Sequence, residues 1–360
     1  MNAEAGEERD AVAATPRALF ASSGDAFAAA VTACGGKPAH ARALRRAVLR
    51  AGPGPLTTLD TRGLLLPAEL CRRLMADGWV AARSQPIARS PAADGSTKLL
   101  LELHDGRRVE SVVMPVERGG HAVCISTQVG CPVGCPFCAS GIGGLVRNLG
   151  PDEIVEQVAW ARAVAAVRRI VVMGIGEPLL NLDALLQAVA SLVEDGGFAE
   201  RRIVVSSVGF PDRVARLAAS GRRVGLAISL HAVTDPLRER LVPLLRGVPV
   251  REVVAAARDW AQATCGRVQF EYVVLRGVND DLAACDELAR LLDGFPAYVN
   301  FIAWNPVPEL PFERPDEERM AALVRRCRDL GLVATRRRTL GADATAACGQ
   351  LRRSAEPGAS

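Results

Sequence analysis

Lysine is almost missing from this 360-residue chain. It stands only at Lys37 and Lys98, so arginine carries nearly all of the positive charge behind the formal net charge of +4. Arginine beside abundant alanine reads as much like coding bias as like selection for phosphate contacts, so charge alone gives only slight support to a nucleic-acid partner. Long apolar runs are missing as well. None approaches the roughly eighteen residues of a membrane span, and no membrane partner is expected. Residues 1–30 hold no basic stretch followed by an apolar core, so no secretory leader is read there. A disulfide framework built in an oxidising compartment is therefore disfavoured, and a soluble, cytoplasmic protein is expected. The 49% of hydrophobic side chains suffices for a full core, giving one large domain with accessories.

Cysteine is plentiful, and four of the ten fall within fifteen residues: Cys124, Cys131, Cys135 and Cys138. The last three have the spacing C-x3-C-x2-C, which a random arrangement of this composition produces about 0.008 times per chain. Three thiolates on one tight loop can ligate three irons of a [4Fe-4S] cube and leave the fourth open to chelate a ligand, for which S-adenosylmethionine is the best-known choice. A zinc site using all four cysteines is the competing reading, although zinc knuckles usually pair two C-x2-C turns and only one is present.

Along the chain, residues 1–20 read as a disordered tail and 21–92 as a small helical domain broken by Gly35-Gly36, by Gly52-Pro53-Gly54-Pro55 and by Pro67. Residues 93–118 read as a β-hairpin linker, with Leu99–Leu103 and Val109–Met114 flanking the turn pair Asp105-Gly106. From 119 to 340, β-branched runs at 122–127, 169–174, 202–207, 224–230, 267–274 and 298–303 alternate with helix-length stretches, one of them 151–166 with Pro151 in its first turn. The fold class expected is α/β, a partial (β/α)6 barrel of TIM type, with residues 341–360 as a C-terminal segment. Chemistry in such folds gathers at the C-terminal strand ends.

Several candidates fall at those ends. Gly174 and Gly176 let the backbone approach a ligand, and Glu177 beside them offers a carboxylate to an ammonium. Ser206 and Ser207 end the third run, and Ser229, Leu230 and His231 end the fourth. Asn305 has the donor and acceptor needed to read an adenine edge, and Trp304 reads as packing. Arg336, Arg337 and Arg338 suit either phosphate contacts or a solvated strand face. Cys34, Cys71, Cys265, Cys285 and Cys327 read as packing.

The strings Cys124–Cys131 (CISTQVGC), Val172–Asn181 (VMGIGEPLLN), Ile228–Ala232 (ISLHA) and Ala346–Leu351 (AACGQL) together resemble the RlmN/Cfr family of radical SAM RNA methyltransferases. The resemblance runs from about residue 95 to 352 and is loose before that. Gly341-Ala342-Asp343 stands where the family usually has Gly-Asp-Asp, and Gly144-Leu145 where Gly-Phe is common.

What the resemblance implies is methylation of an adenine ring carbon in 23S rRNA and in tRNA, at C2 as in RlmN-like members or at C8 as in Cfr-like ones, with C2 favoured by the stretch around Gly176 and the C-terminal motif. It implies one [4Fe-4S] cluster on Cys131, Cys135 and Cys138 and two S-adenosylmethionine molecules per turnover, with Gly176, Glu177, Ser206, Ser229, Leu230, His231 and Asn305 as cofactor contacts. Cys348 would be the methyl carrier, an S-methylcysteine whose methylene radical adds to the ring after a 5′-deoxyadenosyl radical removes a hydrogen from it. Glu110 would accept the ring proton. Cys124 would resolve the covalent protein–RNA adduct by forming a disulfide with Cys348, which a reductant must reopen. An electron donor of flavodoxin or ferredoxin type and a monomeric enzyme complete the expectation. A radical SAM enzyme with a non-RNA substrate and a zinc-stabilised RNA-binding protein are the alternatives.

Overall fold

The computed structural model describes residues 16–117, 119–341, 347 and 350–351. Strand β1 (Arg17–Ala18) leads into helices α1 (Gly24–Ala33), α2 (Pro38–Ala51) and α3 (Ala68–Ala76), and β2 (Trp79–Val80) returns parallel to β1. The breaks fall where the backbone chemistry requires them. Ser23 caps α1 by accepting from the Ala26 N–H, α2 starts at Pro38 and stops before Gly52, and Pro67 precedes α3.

Next, β3 (Gln85–Pro91), β4 (Thr97–Glu102), β5 (Arg108–Pro115) and β6 (His121–Cys124) pair antiparallel in succession. The expected hairpin is β4–β5, but it is no separate linker in the hydrogen-bonding sense, since both strands are paired into the large sheet. Strand β3 lies inside the stretch read as helical.

Two short strands, β7 (Gln128–Gly130) and β8 (Leu145–Asn148), pair antiparallel on either side of the cysteine loop. The chain then alternates helix and strand: α4 (Pro151–Arg162), β9 (Val167–Val172), α5 (Leu182–Glu194), β10 (Ile203–Ser207), α6 (Pro211–Ala219), β11 (Gly225–Ser229), α7 (Asp235–Leu241) with α8 (Val250–Thr264), β12 (Val268–Val274), α9 (Ala283–Leu291), β13 (Ala297–Ala303), α10 (Glu317–Asp329) and β14 (Ala334–Arg336). The sheet order is β14-β13-β12-β11-β10-β9-β6-β5-β4-β3, parallel from β6 to β14. All six expected runs hold a strand of this partial barrel, and β14 adds a seventh parallel strand.

Alternation along β12 shows how the sequence separates core from site. Val268, Phe270, Tyr272 and Val274 enter the main core, while Glu271 and Val273 line a cavity on the other face. The N-terminal helices are tied to the barrel through Arg45, 2% exposed. Its Nε meets Asp195 Oδ2 at 2.7 Å, its Nη2 donates to Ser191 Oγ at 2.7 Å and its Nη1 donates to the Leu19 carbonyl at 3.0 Å. Among the described residues no helix is long and apolar enough to cross a membrane.

Candidate active site

A cavity of about 200 Å³ opens at the C-terminal ends of the parallel strands, and Cys131, Cys135 and Cys138 form one wall of it. The β7–β8 pairing closes the base of their loop. A Cβ at Gly130, whose φ is +77°, would lie 2.0 Å from the Gly144 carbonyl oxygen, so only glycine fits there. Inside the loop the Cys138 N–H donates to the Cys135 carbonyl at 3.1 Å. Trp304, from the end of β13, donates its indole N–H to the Phe137 carbonyl at 2.8 Å.

Burial pushes the Cys131 thiol up to about 12, with the Cys138 and Glu177 charges adding to the rise, while the N–H groups of Val133 and Gly176 oppose it by donating to the sulfur. Burial, then Cys138 and Cys131, likewise hold the Cys135 thiol well above the ordinary range. A cationic metal core reverses that balance, because a coordinating thiol gives up its proton. Three thiols on one wall, one of them already met by two backbone N–H donors, suit a cluster whose sulfur ligands are tuned by N–H hydrogen bonds. Among the described residues no three His, Cys, Asp or Glu side chains converge as a single-ion site would need. In a cube each thiolate binds a different iron.

Beside the thiols, one residue after the Gly176 N–H that meets the Cys131 sulfur, stands Glu177, 2% exposed, with one carboxylate oxygen accepting from the Leu179 N–H at 3.0 Å and the other from the Val208 N–H at 2.9 Å. Its own N–H donates to Gln128 Oε1 at 2.8 Å. Burial raises its carboxyl to about 7 against the pull of the Val208, Ser207 and Leu179 hydrogen bonds. Gly176 before it has φ +109°, and a Cβ there would come within 2.7 Å of the Gln128 Cβ.

The hydroxyls of Ser206 and Ser229, from adjacent strands β10 and β11, lie 3.2 Å apart on the cavity wall. His231 follows β11 with φ +62°, a left-handed conformation held by Asn279 Nδ2 donating to its carbonyl at 2.8 Å and by the Val273 N–H donating to its Nδ1 at 3.1 Å. Burial, then the nearby Arg238 cation, lowers its pKa to about 3, so the ring is neutral with its proton on Nε2. Asn305 Oδ1 accepts from Arg314 Nη1 at 2.9 Å and from Thr339 Oγ1 at 3.2 Å. Leu230 differs from these residues: its side chain is fully buried in the core, and only its backbone faces the network, its N–H donating to the Glu271 carbonyl at 3.0 Å.

Cys124 ends β6 and lines the cavity from an apolar patch shared with Val112, Ile175 and Leu351. Glu110 lies on the same face of β5 as the cavity-lining Val112 and Met114, and its carboxylate pairs with Lys98 Nζ at 3.0 Å. Cys348 lies outside the described residues. Ala347 and Leu351 on either side of it line the cavity, and Ser140 Oγ donates to the Leu351 carbonyl at 2.6 Å.

This geometry has close counterparts among known proteins. Residues 125–289 match the Radical SAM superfamily. A curated relative from Parasynechococcus marenigrum, named a probable dual-specificity RNA methyltransferase RlmN, is 41% identical over 327 residues, spanning 89% of this chain and 94% of its own. One of the same name from Thermosynechococcus vestitus is 44% identical over 283 residues, spanning 78% of this chain and 83% of its own. The chain belongs to the RlmN/Cfr family of radical SAM RNA methyltransferases. A crystal structure of a radical SAM methyltransferase from Sphaerobacter thermophilus, 39% identical, superposes with a TM-score of 0.86 over 93% of this chain and 99% of its own.

Within this RlmN/Cfr member the structure adds groups that the motifs did not reveal. Glu271, 3% exposed, lines the cavity from mid-strand, accepts from Asn300 Nδ2 at 3.0 Å and has Arg337 Nη1 at 3.8 Å. The arginine run divides by strand alternation: Arg336 pairs with Glu317, Arg337 turns inward to Glu271 and Met173, and Arg338 stays exposed at the mouth. A lone carboxylate in a mostly apolar strand is the one trace Glu271 leaves in the sequence, and it does not by itself mark a site. Cys265 corrects the packing assignment, for it is exposed at the C-cap of α8 with φ +52°, where the helix has ended and no core covers it.

Proposed function

We propose that this protein methylates a ring carbon of adenine, C2 in preference to C8, in 23S rRNA and tRNA, using S-adenosylmethionine as methyl donor and as radical source. The observation that carries the reading is the single cavity lined by Cys131, Cys135 and Cys138, by the buried Glu177 carboxylate, by Cys124, and by Ala347 and Leu351 on either side of Cys348. When bound, a [4Fe-4S] cluster on the three thiolates supplies the electron for reductive cleavage of the cofactor, a chemistry open to ring carbons that cannot attack a methyl sulfonium themselves.

Glu177 is placed to accept hydrogen bonds from the cofactor's ammonium, with its two backbone donors fixing the carboxylate plane. Ser206, Ser229, the neutral His231, Asn305 and the backbones of Gly176 and Leu230 are the further contacts assigned to it. Cys348 takes the methyl group by nucleophilic displacement. After a hydrogen atom is removed from that group, the carbon joins the adenine, Glu110 receives the ring proton, and the one electron left on the adduct would return to the cluster when it is bound. Cys124 then attacks the Cys348 sulfur, freeing the methylated base as its new methyl carbon takes a proton and leaving a disulfide that a reductant reopens; an electron donor of flavodoxin or ferredoxin type is the assigned redox partner. The word dual-specificity in the relatives' names supports more than one RNA acceptor. Residues 21–92 are assigned to engage RNA shape, and the enzyme is assigned to the cytoplasm as a monomer.

Anaerobic incubation of iron-reconstituted protein with reductant, methyl-deuterated S-adenosylmethionine and separate pools of 23S rRNA and tRNA, followed by nucleoside mass spectrometry, tests this. Labelled 2-methyladenosine is expected. Cofactor cleavage without labelled RNA would overturn the substrate, and retained methylation in Cys348→Ala would overturn the two-thiol route.

A further inference from the structure

Arg238, in α7, is buried to 2% exposure directly behind the cysteine loop. Its Nε donates to the Leu230 carbonyl at 3.3 Å and its Nη2 donates to the Val208 carbonyl, which fixes the guanidinium across the ends of β11 and β10. The third nitrogen, Nη1, is buried and has no hydrogen-bond partner among the described residues. Leu241 of α7 and Val242 after it join Val208 and Phe137 in one apolar cluster, and all three loop cysteines pack against it. The Arg238 charge acts on Cys135 and on His231. On the cavity side, Glu177 acts on Cys131 and Cys135 with the opposite sign.

A buried cation that bonds two carbonyls, with the Asp235 carboxylate acting on it only through space, is costly unless an anion completes its shell. The sequence places one there. Three thiolates around a dicationic iron–sulfur core carry one net negative charge, and one-electron reduction makes it two. We propose that the Arg238 guanidinium is the buried counter-charge of a cluster held by Cys131, Cys135 and Cys138, and that it sets the cluster's reduction potential. The inference rests on reading those cysteines as cluster ligands. A fixed positive charge in a low-dielectric surrounding favours the more negative, reduced form, so it raises the potential and eases electron entry. It balances the buried Glu177 carboxylate, which pushes the other way and accepts from the N–H of the same Val208 whose carbonyl Arg238 holds.

The test compares reconstituted wild-type protein with R238M, R238Q and R238K by iron content, visible spectrum and EPR-monitored redox titration without S-adenosylmethionine or RNA. In R238M and R238Q the cluster assembles and its reduction becomes at least tenfold less favourable, 59 mV for one electron; R238K, which keeps the charge, shifts by less than half of that. An assembled cluster with unchanged potential in either neutral variant overturns the proposal and leaves Arg238 a strut for two carbonyls. Wild-type protein labelled with ¹⁵N-guanidino arginine supplies a measurement independent of variant folding: pulsed EPR of the reduced cluster is expected to show a nitrogen coupling that R238K lacks, and its absence from the wild type also overturns the proposal. Wild-type protein that binds no iron on Cys131, Cys135 and Cys138 would instead overturn the cluster reading.

Discussion

Glu177 has only neutral hydrogen-bond partners, the N–H groups of Leu179 and Val208 and the Ser207 hydroxyl, and burial lifts its carboxyl from 4.5 to about 7. Between those values the folded chain keeps a proton that the unfolded chain has released. Stability therefore falls as pH rises through that window, and the loss, about 3 kcal/mol for a shift of this size, is complete above it. Glu156, lifted to about 7 mainly by burial, adds a slope of the same sign. His231 does the reverse: its pKa is depressed from 6.5 to about 3, so its contribution is present above 6.5 and is lost as pH falls. In denaturant titrations of the metal-free protein, E177Q is expected to flatten the decline between about pH 5 and pH 8. On the proposed pairing of the cofactor's ammonium with the ionised Glu177 carboxylate, cofactor affinity should rise with pH through about 7 in the wild type and fall about 10- to 100-fold in E177Q, measured by equilibrium dialysis. Glu177 was legible because a glycine pair and a strand end point at it. Arg238 and Glu271 were not, since a lone arginine on a short helix and a lone acid in a strand acquire meaning only from what the fold packs against them.

The cysteine loop is held from outside its own sequence. Trp304 reaches it from β13 to bond the Phe137 carbonyl, so W304F leaves that carbonyl without its donor at a cost of about 1–3 kcal/mol and is expected to lower iron retention per chain under a chelator challenge. Gly176 is constrained more tightly. G176A meets both a positive φ and the Gln128 side chain, so it should displace the Glu177 turn, destabilise the fold by about 1–3 kcal/mol in denaturant melts and abolish measurable cofactor binding. The parallel strands were readable because, covered on both faces, they must be β-branched and apolar through most of their length. Strand β3 escaped notice because Pro86 and Pro91 argue against a strand, and it tolerates them as the edge of the sheet. Strand β14 is only three residues long and two of them are exposed.

At the scale of the whole molecule, the N-terminal helices and the barrel share one buried ion pair. Removing Arg45 strands Asp195, which is 9% exposed at its side chain, so R45A is expected to lower the unfolding free energy by about 3–5 kcal/mol, with D195A in the same background adding little. Chemical denaturation of the four proteins of that cycle measures it. Such long-range pairing leaves no local trace in a sequence: Arg45 and Asp195 sit 150 residues apart, each in an ordinary helical setting.

The contact between Ser140 and Leu351 spans 211 residues. During synthesis at roughly 5–20 residues per second, the loop of Cys131, Cys135 and Cys138 therefore waits about ten seconds or more with that side of the cavity uncovered, until residue 351 has left the ribosome. On the proposed reading of these cysteines as cluster ligands, iron and sulfide have an interval in which to reach the thiols before residue 351 covers that side, so the order in which this chain is built and the order in which its centre is loaded are one schedule.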